Sequence, residues 1–429
     1  MKEEFLHFIW KFKYFNLVDL KLTNGEPLEV LRSGLAHQHA GPDFFDARLK
    51  IGNTKWAGNV EIHVKSSEWY AHKHDRDSVY DRIILHVVWE DDRPVYRKDG
   101  TILPTLVLKG RVSRMILEKY QDLKDSIDWI PCVKDISMVD ETIKRQQIER
   151  MLVDRLQEKS NRIKQLLEIN QHDWEDAFYR LLAKYFGLKV NAVPFELLTS
   201  SLPFSLLRKY QSSPLQLMAL LFGQAGFLSD SFKGSYPREL QKEFAFLKSK
   251  HQLKPMDASI WKFMRMRPAN FPTIRLAQFA RLYLNHPTLF QKLIDCKSLG
   301  EIRGLFRVEA DSYWQSHYRF DVPAAKNTKK KLGKTATDLL IINAVIPILF
   351  SYADWHAQDE FKAQVFDFLQ QLPAEKNRII NVWKSLEMPI ENAYDSQALL
   401  QLKQSFCDQK KCLTCAIGTD LLKLQVHDT

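Results

Sequence analysis

The chain has 429 residues, 45% of them hydrophobic and 27% charged, with a formal net charge of +10. That composition suits a globular chain with a sizeable core, and the length exceeds what one core usually serves, so two or three domains are expected. No stretch approaches the roughly 20 uninterrupted apolar residues of a membrane span, so no membrane association is expected.

The N-terminal MKEEFLHFIWKFKYF reads as an amphipathic helix rather than a targeting signal, with Phe5, Phe8, Ile9 and Phe12 on one stripe, and cytoplasmic residence is the expectation. From about residue 20 to 110 the signals are strands and turns. LEVLRSG is followed by the loop AHQHAGPD and then FFDARLKIG; Asn53-Thr54 turns the chain into KWAGNVEIHVKS, a β-hairpin. DSVYDR is a short, partly helical connection, IILHVVWE a strand, and PVYRKDGTILPTLVL a second hairpin with Asp99-Gly100 at its turn.

From about 111 the period is helical. GRVSRMILEKYQDLKDSI leads into WIPC, whose proline marks a boundary. Beyond Asp140 a long amphipathic helix carries Ile148, Met151, Leu152, Arg155, Leu156 and Ile163 near one face, and further helical segments include EDAFYRLLAKYFGL, PLQLMALLFGQAG, TIRLAQFARLYL and ATDLLIINAVIPILF. KNTKKKLGKT, residues 326–335, reads as an exposed basic loop. The fold class is therefore an α+β N-terminal domain, residues 1–130, followed by an all-α region, residues 131–429. Residues 1–130 hold 20 Lys and Arg against 20 Asp and Glu, so the positive excess lies entirely beyond them. A neutral, acid-containing part beside a basic one suits a protein that grips a polyanion with one region and acts on it with the other; ordinary surface lysine is the competing explanation.

The hairpin carries the chemistry. Asp43 stands before its first strand, and Glu61, His63 and Lys65 alternate with Val60, Ile62 and Val64 on the second, so a period of two puts the three polar groups on one face. Two convergent carboxylates hold a hard divalent cation, Mg²⁺ or Mn²⁺, and a nearby basic group orients water or steadies a phosphate. Six of the thirteen histidines lie between His37 and His86, and neutral imidazole is both a metal ligand and a base near neutral pH. His72 and His74 read either as site residues or as decoration of a loop; His86 reads better as a core histidine. His37 and His39, in the AHQHAGPD loop, stay open.

In residues and in order of elements the region resembles the PD-(D/E)XK nuclease superfamily. That resemblance implies a mixed sheet with flanking helices, Asp43 and Glu61 as metal ligands, and His63 in the place of the superfamily's lysine, a role that Lys65 would take over. Glu29 would match an extra upstream acid. WYAHKHDRD, with Trp69, His72 and His74, is similar to the W-x-x-H-x-H-like element of the very-short-patch mismatch-repair endonucleases, which implies a catalytic part for His72 and His74. Longer stretches, among them GPDFFDARLKIGNTKWAGNVEIHVKSSEWYAHKHDRDSVYDRIILHVVWE, RMRPANFPTIRLAQFA and KKCLTCAIG, resemble the domain-of-unknown-function family 2851 of Bacteroidota, a likeness that brings no established activity.

RMRPANFPTIRLAQFARLY offers Arg265, Arg267 and Arg275 as phosphate contacts, with Phe271 placed to stack on a base; a buried corner between helices is the competing reading, and the stronger one for Arg275. Of the five cysteines, Cys407-x4-Cys412-x2-Cys415 suits a tetrahedral metal site holding zinc or an iron–sulfur cluster. Cys132 in WIPC is the first candidate for the fourth ligand, and free buried cysteines are the alternative. The expectation is a metal-dependent nuclease hydrolysing DNA, with RNA second, clamped by a basic helical region. A non-catalytic nucleic-acid-binding scaffold with a nuclease-like fold, and a metal-dependent hydrolase of a small substrate, are the other readings. The sequence specifies no protein partner.

Overall fold

The computed structural model describes residues 1–37 and 41–427, so His39 lies outside the described residues. The chain forms two compact units, Met1–Gln147 with Leu402–Thr429, and Ile148–Gln401. This differs from the expected division into 1–130 and 131–429. The last segment returns to the N-terminal unit, where Ala416 N–H donates to Gln147 Oε1 at 2.8 Å, Lys410 Nζ donates to the Lys124 carbonyl at 2.8 Å, and Lys403 Nζ sits 5.0 Å from the Trp129 ring centroid.

The first unit opens on helix α1 (Glu3–Phe12), which buries Phe5, Leu6, Phe8, Ile9 and Trp10. Glu3 and Glu4 in its first turn face the positive end of the helix dipole, and Lys13 in the left-handed region ends it. Strands β1 (Leu28–Arg32), β2 (Leu35–Ala36), β3 (Phe44–Ile51), β4 (Thr54–Lys65), β5 (Ile83–Glu90) and β6 (Thr105–Val107) make one mixed sheet, with α1 packed against β4. Its order is β1-β3-β4-β5-β6, with β2 beside β3. β1, β3 and β4 run antiparallel, whereas β4, β5 and β6 run parallel. The expected second hairpin is reduced to a single bridge between Tyr96 and Ile102 ahead of β6.

The site depends on a mismatch in strand length. β3 pairs with β4 from Thr54 to Val60, whereas β5 pairs with β4 from Asn59 to Lys65. Past Val60, β4 therefore runs beyond the start of β3 and its backbone needs other partners. Carboxylates supply them. Asp43 Oδ2 accepts from Ile62 N–H at 2.9 Å, and Glu68 Oε2 accepts from Val64 and Lys65 N–H at 2.9 and 3.1 Å. Glu68 opens the short helix α2 (Glu68–Ala71), which is held further by Asp92, whose carboxylate accepts from Ser66 Oγ and from the N–H and hydroxyl of Ser67.

The second unit is helical apart from a ribbon of β7 (His317–Arg319) and β8 (Val322–Pro323), a small departure from the expected all-α region. Its core is aromatic, with Tyr179, Phe279 and Tyr283 in mutual ring contact at 5.1–5.5 Å. Lys334–Trp355 is 22 residues long and apolar enough by composition to cross a membrane, yet 78% of its apolar window is buried inside the protein, as in a core helix. Ile148–Gln401 holds 35 Lys and Arg against 26 Asp and Glu, so nearly all of the net charge resides there.

The sheet has little room around Gly58 on β4. A Cβ there would lie 2.4 Å from Ile84 Cγ2 and 2.9 Å from the Arg82 carbonyl oxygen. Gly58→Ala should cost about 1–3 kcal/mol through overpacking, read by scanning calorimetry as a lower denaturation midpoint. An unchanged midpoint would contradict this packing of β4 on β5.

Candidate functional site

Asp43 and Glu61 are tied to each other through the backbone. While Asp43 Oδ2 takes the Ile62 N–H, Glu61 Oε2 takes the Asp43 N–H at 3.3 Å. The carboxylates thus converge at the end of the sheet where β4 outruns β3. Helix α1 adds His7, whose Nε2 lies 3.3 Å from Asp43 Oδ2 and 3.5 Å from Glu3 Oε1. Burial pulls the His7 pKa down, but the hydrogen bond to Asp43 and the charges of Asp43, Glu3 and Glu61 outweigh it and hold it above the usual value. Burial raises the Glu61 pKa, against the opposing hydrogen bond from His74.

Beside the acids lies a chain of imidazoles. His86 stands opposite Glu61 in the parallel register of β5, and its Nε2 is 2.8 Å from His63 Nδ1. His63 Nε2 is in turn 3.1 Å from Nδ1 of His72, which is exposed at the end of α2. His74 Nε2 is 3.2 Å from Glu61 Oε1, and its ring stacks on Tyr80 at 3.8 Å. Only 1% of His63 is exposed. Burial, reinforced by the other imidazoles, pushes His63 down to about 2 and His86 to about 3, so both are neutral at physiological pH.

Two sets of side chains place one ligand atom each within 4.8 Å of one another: His63, His72 and His74, and Glu3, His7 and Asp43. Nδ1 of His86 is buried without a hydrogen-bond partner, while Nε2 of His7 and Nε2 of His74 face only carboxylates, Asp43 and Glu61. Mixed imidazole and carboxylate donors of this kind fit a divalent transition metal.

The structure thus brings Asp43, Glu61, His63, His72 and His74 together. Lys65 does not join them; it stands exposed at the end of β4 opposite Glu90. Glu29 lies exposed on β1 opposite Lys50, and Glu3 is the further acid beside Asp43 instead. His37 packs edge-on against Phe45. Three contributors were missed or undervalued in the sequence: Glu3, His7 and His86. An acid and a histidine four apart at a helix start are a faint signal for the first two; His86 required the parallel register.

In the helical unit, Arg265 and Arg267 are exposed. Arg275 follows the stronger of its two readings, the buried corner, and not that of a phosphate contact: it is 7% exposed, and its guanidinium donates to Gln278 Oε1 and Asn270 Oδ1, bracing a helix start. Phe271 is half-buried and meets the Phe263 ring edge-on and the Arg319 guanidinium at 5.4 Å. Lys330, in the expected exposed basic loop, is buried with its ammonium on the carbonyls of Gln315 and Thr328.

The cysteines form a second candidate centre, inside the first unit. Cys132 opens a turn, its carbonyl accepting from Ile136 N–H at 3.0 Å. Cys407 ends the π-helical turn Leu402–Cys407, Cys412 opens the 3-10 turn Cys412–Thr414, and Cys415 leads into the terminal helix Ala416–His427. Gly418 allows that helix to touch the Cys412 turn, since a Cβ there would be 2.4 Å from the Cys412 carbonyl oxygen. Burial pushes the Cys132 and Cys412 thiols up to about 12 and Cys407 higher still, and neighbouring cysteines add to it: Cys415, Cys132 and Cys412 act on Cys407, Cys415 and Cys412 on Cys132, and Cys415 on Cys412. Thiols are ligands of tetrahedral metals and clusters, but the described sets whose ligand atoms already lie within 4.8 Å of one another do not include these cysteines.

Residues 3–378 match the model of the family described as "Protein of unknown function (DUF2851)", and the chain belongs to that family. Cys132 falls within the matched span, while Cys407, Cys412 and Cys415 lie beyond it. No curated protein and no solved structure matches the chain.

Because Asp43 caps a strand as well as facing the site, its substitutions should separate the two roles. Asp43→Ala leaves the Ile62 N–H without its acceptor and should cost about 1–3 kcal/mol, whereas Asp43→Asn keeps an acceptor oxygen and should stay close to the wild-type midpoint in urea denaturation. Equal midpoints for both variants would show that the cap contributes nothing.

Proposed function

We propose that the chain is a divalent-metal-dependent phosphodiesterase acting on nucleic acid, DNA ahead of RNA, with a PD-(D/E)XK-like centre in its first unit. The observation that carries this reading is the reciprocal pairing of Asp43 and Glu61, which gathers two carboxylates beside His7 and His74. The donor atoms already within 4.8 Å, Glu3–His7–Asp43 and His63–His72–His74, do not combine the two acids, so an ion held by Asp43, Glu61, His7 and His74 would draw them together, and the nitrogen donors favour Mn²⁺ over Mg²⁺. When bound, the metal lowers the pKa of water and offsets charge on phosphoryl oxygens. The chain's own part is positioning and proton transfer. Buried, neutral His63, fixed on one side by His86, holds Nδ1 of exposed His72, and His72 is the imidazole open to solvent for proton transfer. The basic helical unit, with Arg265 and Arg267 exposed, supplies affinity for a polyanion.

The position of Lys65, away from the acids, favours a second reading, a nucleic-acid-binding scaffold without catalysis. One experiment separates the two. The full-length protein is incubated with single- and double-stranded DNA and RNA and with Mn²⁺ or Mg²⁺, beside Asp43→Asn and Glu61→Gln. Cleavage should be metal-dependent and should fall on the order of 100-fold or more in each variant. Salt-dependent binding without cleavage would establish the scaffold, and cleavage at the wild-type rate in both variants would remove this site from the chemistry.

We further propose that Cys132, Cys407, Cys412 and Cys415 hold zinc or an iron–sulfur cluster that fastens the returning C-terminal segment to the first unit. Thiolates select such metals over hard cations, and a cation would offset the burial, and the lesser mutual repulsion, that keep these thiols protonated. Elemental analysis and a visible spectrum of protein purified without oxygen should find one zinc, or bound iron with visible absorbance. Cys412→Ser should lose it. Metal-free protein of undiminished stability would overturn the assignment.

A further inference from the structure

The helical unit contains a cavity of about 270 Å³, lined by Lys159, Arg162, Arg180 and Lys184 around an apolar floor that includes Ile163 and Leu166. We propose that this cavity binds a small phosphomonoester, a ligand with a phosphate at one end and an apolar or aromatic ring at the other.

Charge within the cavity is unbalanced. Lys184 is answered by Glu196 at 2.7 Å, and Arg180 by Asp176 at 2.6 Å. Lys159 and Arg162 have no such partner among the described residues. The Lys159 ammonium donates instead to two neutral amide oxygens, Asn343 Oδ1 and Gln397 Oε1, each at 3.3 Å. Gln397 Oε1 also accepts from Arg155 Nε at 2.6 Å. Arg155, Lys159 and Arg162 follow one another at spacings of four and three along the helix Glu141–Ile169, so like charges stack on one face. Glu375 is the carboxylate that favours the charge on Lys159, and it is already engaged by Gln397 Nε2.

Holding a half-buried ammonium on neutral amides beside two guanidinium groups is costly without a further anion. A phosphate between Lys159 and Arg162 would relieve that cost, the guanidinium offering a fork and the ammonium a point charge. The backbone is adapted to the same spot. Ile341–Val345 forms a π-helical turn, a distortion that recurs at functional sites. Within it Asn343 Nδ2 donates to the Leu339 carbonyl at 3.1 Å, which leaves Oδ1 turned to Lys159. The apolar floor then suits a ring, as in a nucleoside monophosphate.

Burial, with Arg155 adding to it, pushes the Lys159 pKa down to about 7. The groups facing it are Arg155 and Arg162 on its own helix, Glu375, and the amides of Asn343 and Gln397, with Lys184 and Tyr185 also on the cavity wall. An arriving dianion should therefore draw a proton onto Lys159 at pH 8.

The test is titration calorimetry on the full-length protein with adenosine monophosphate, adenosine and a 5′-phosphorylated oligonucleotide, repeated at pH 8 in buffers of different ionisation heat. The monophosphate should bind on the order of tenfold tighter than adenosine, and Arg162→Gln should weaken it about tenfold. Lys159→Met should abolish the proton uptake seen with wild type. If Lys159→Met fails to fold, exposed Arg162 still decides. Absence of binding by the monophosphate at millimolar concentration, binding confined to the oligonucleotide, or equal affinity in wild type and Arg162→Gln would each overturn the proposal.

Discussion

The first unit depends on one unequal pairing. β4 continues past the point where β3 begins, and a buried strand edge must find acceptors for its N–H groups. Asp43 and Glu68 supply those acceptors, and that need explains why acids gather at this end of the sheet. Once Asp43 is fixed on Ile62, its own N–H falls to Glu61, and the two carboxylates cannot separate without breaking the sheet's end. Histidines then surround them from α1, from β4 and β5, and from the segment after α2. Chemistry and architecture share the same hydrogen bonds.

The alternation of Glu61 and His63 with Val60 and Ile62 was legible because a strand has a period of two, and the hairpin turn placed Asp43 at the right end. What was not legible was set by pairing across the sheet. His86 joins the site only because β5 runs parallel to β4 in a register that puts it opposite Glu61; read alone, IILHVV is a core strand. His7 belongs to a helix whose sequence advertises only its apolar stripe. Lys65 shows the converse limit. It shares a face with Glu61, but the strand carries it to the exposed end, away from where Asp43 turns in.

The boundary between the units was misplaced for a similar reason. The transitions at 147/148 and 401/402 fall within continuous helical stretches, so no Pro-, Gly- or Ser-rich linker marks them. WIPC looked like a junction because of its proline, yet Cys132 lies inside the first unit with the three C-terminal cysteines. The return of Leu402–Thr429 to the first unit is what brings the other cysteines near Cys132. In the helical unit the arginines of RMRPANFPTIRL divide by burial, which no spacing rule foretells: Arg275 braces a helix start while Arg265 and Arg267 face solvent.

The account stands on metal at the acid–histidine centre. Anomalous diffraction at the manganese edge, from crystals of the full chain soaked in Mn²⁺, addresses it most directly. A peak within bonding distance of Asp43 and Glu61 carboxylate oxygens and of at least one imidazole nitrogen is the predicted result. Density in which Mn²⁺ is absent there, with His7, Asp43, Glu61 and His74 still at their present separations, would contradict it.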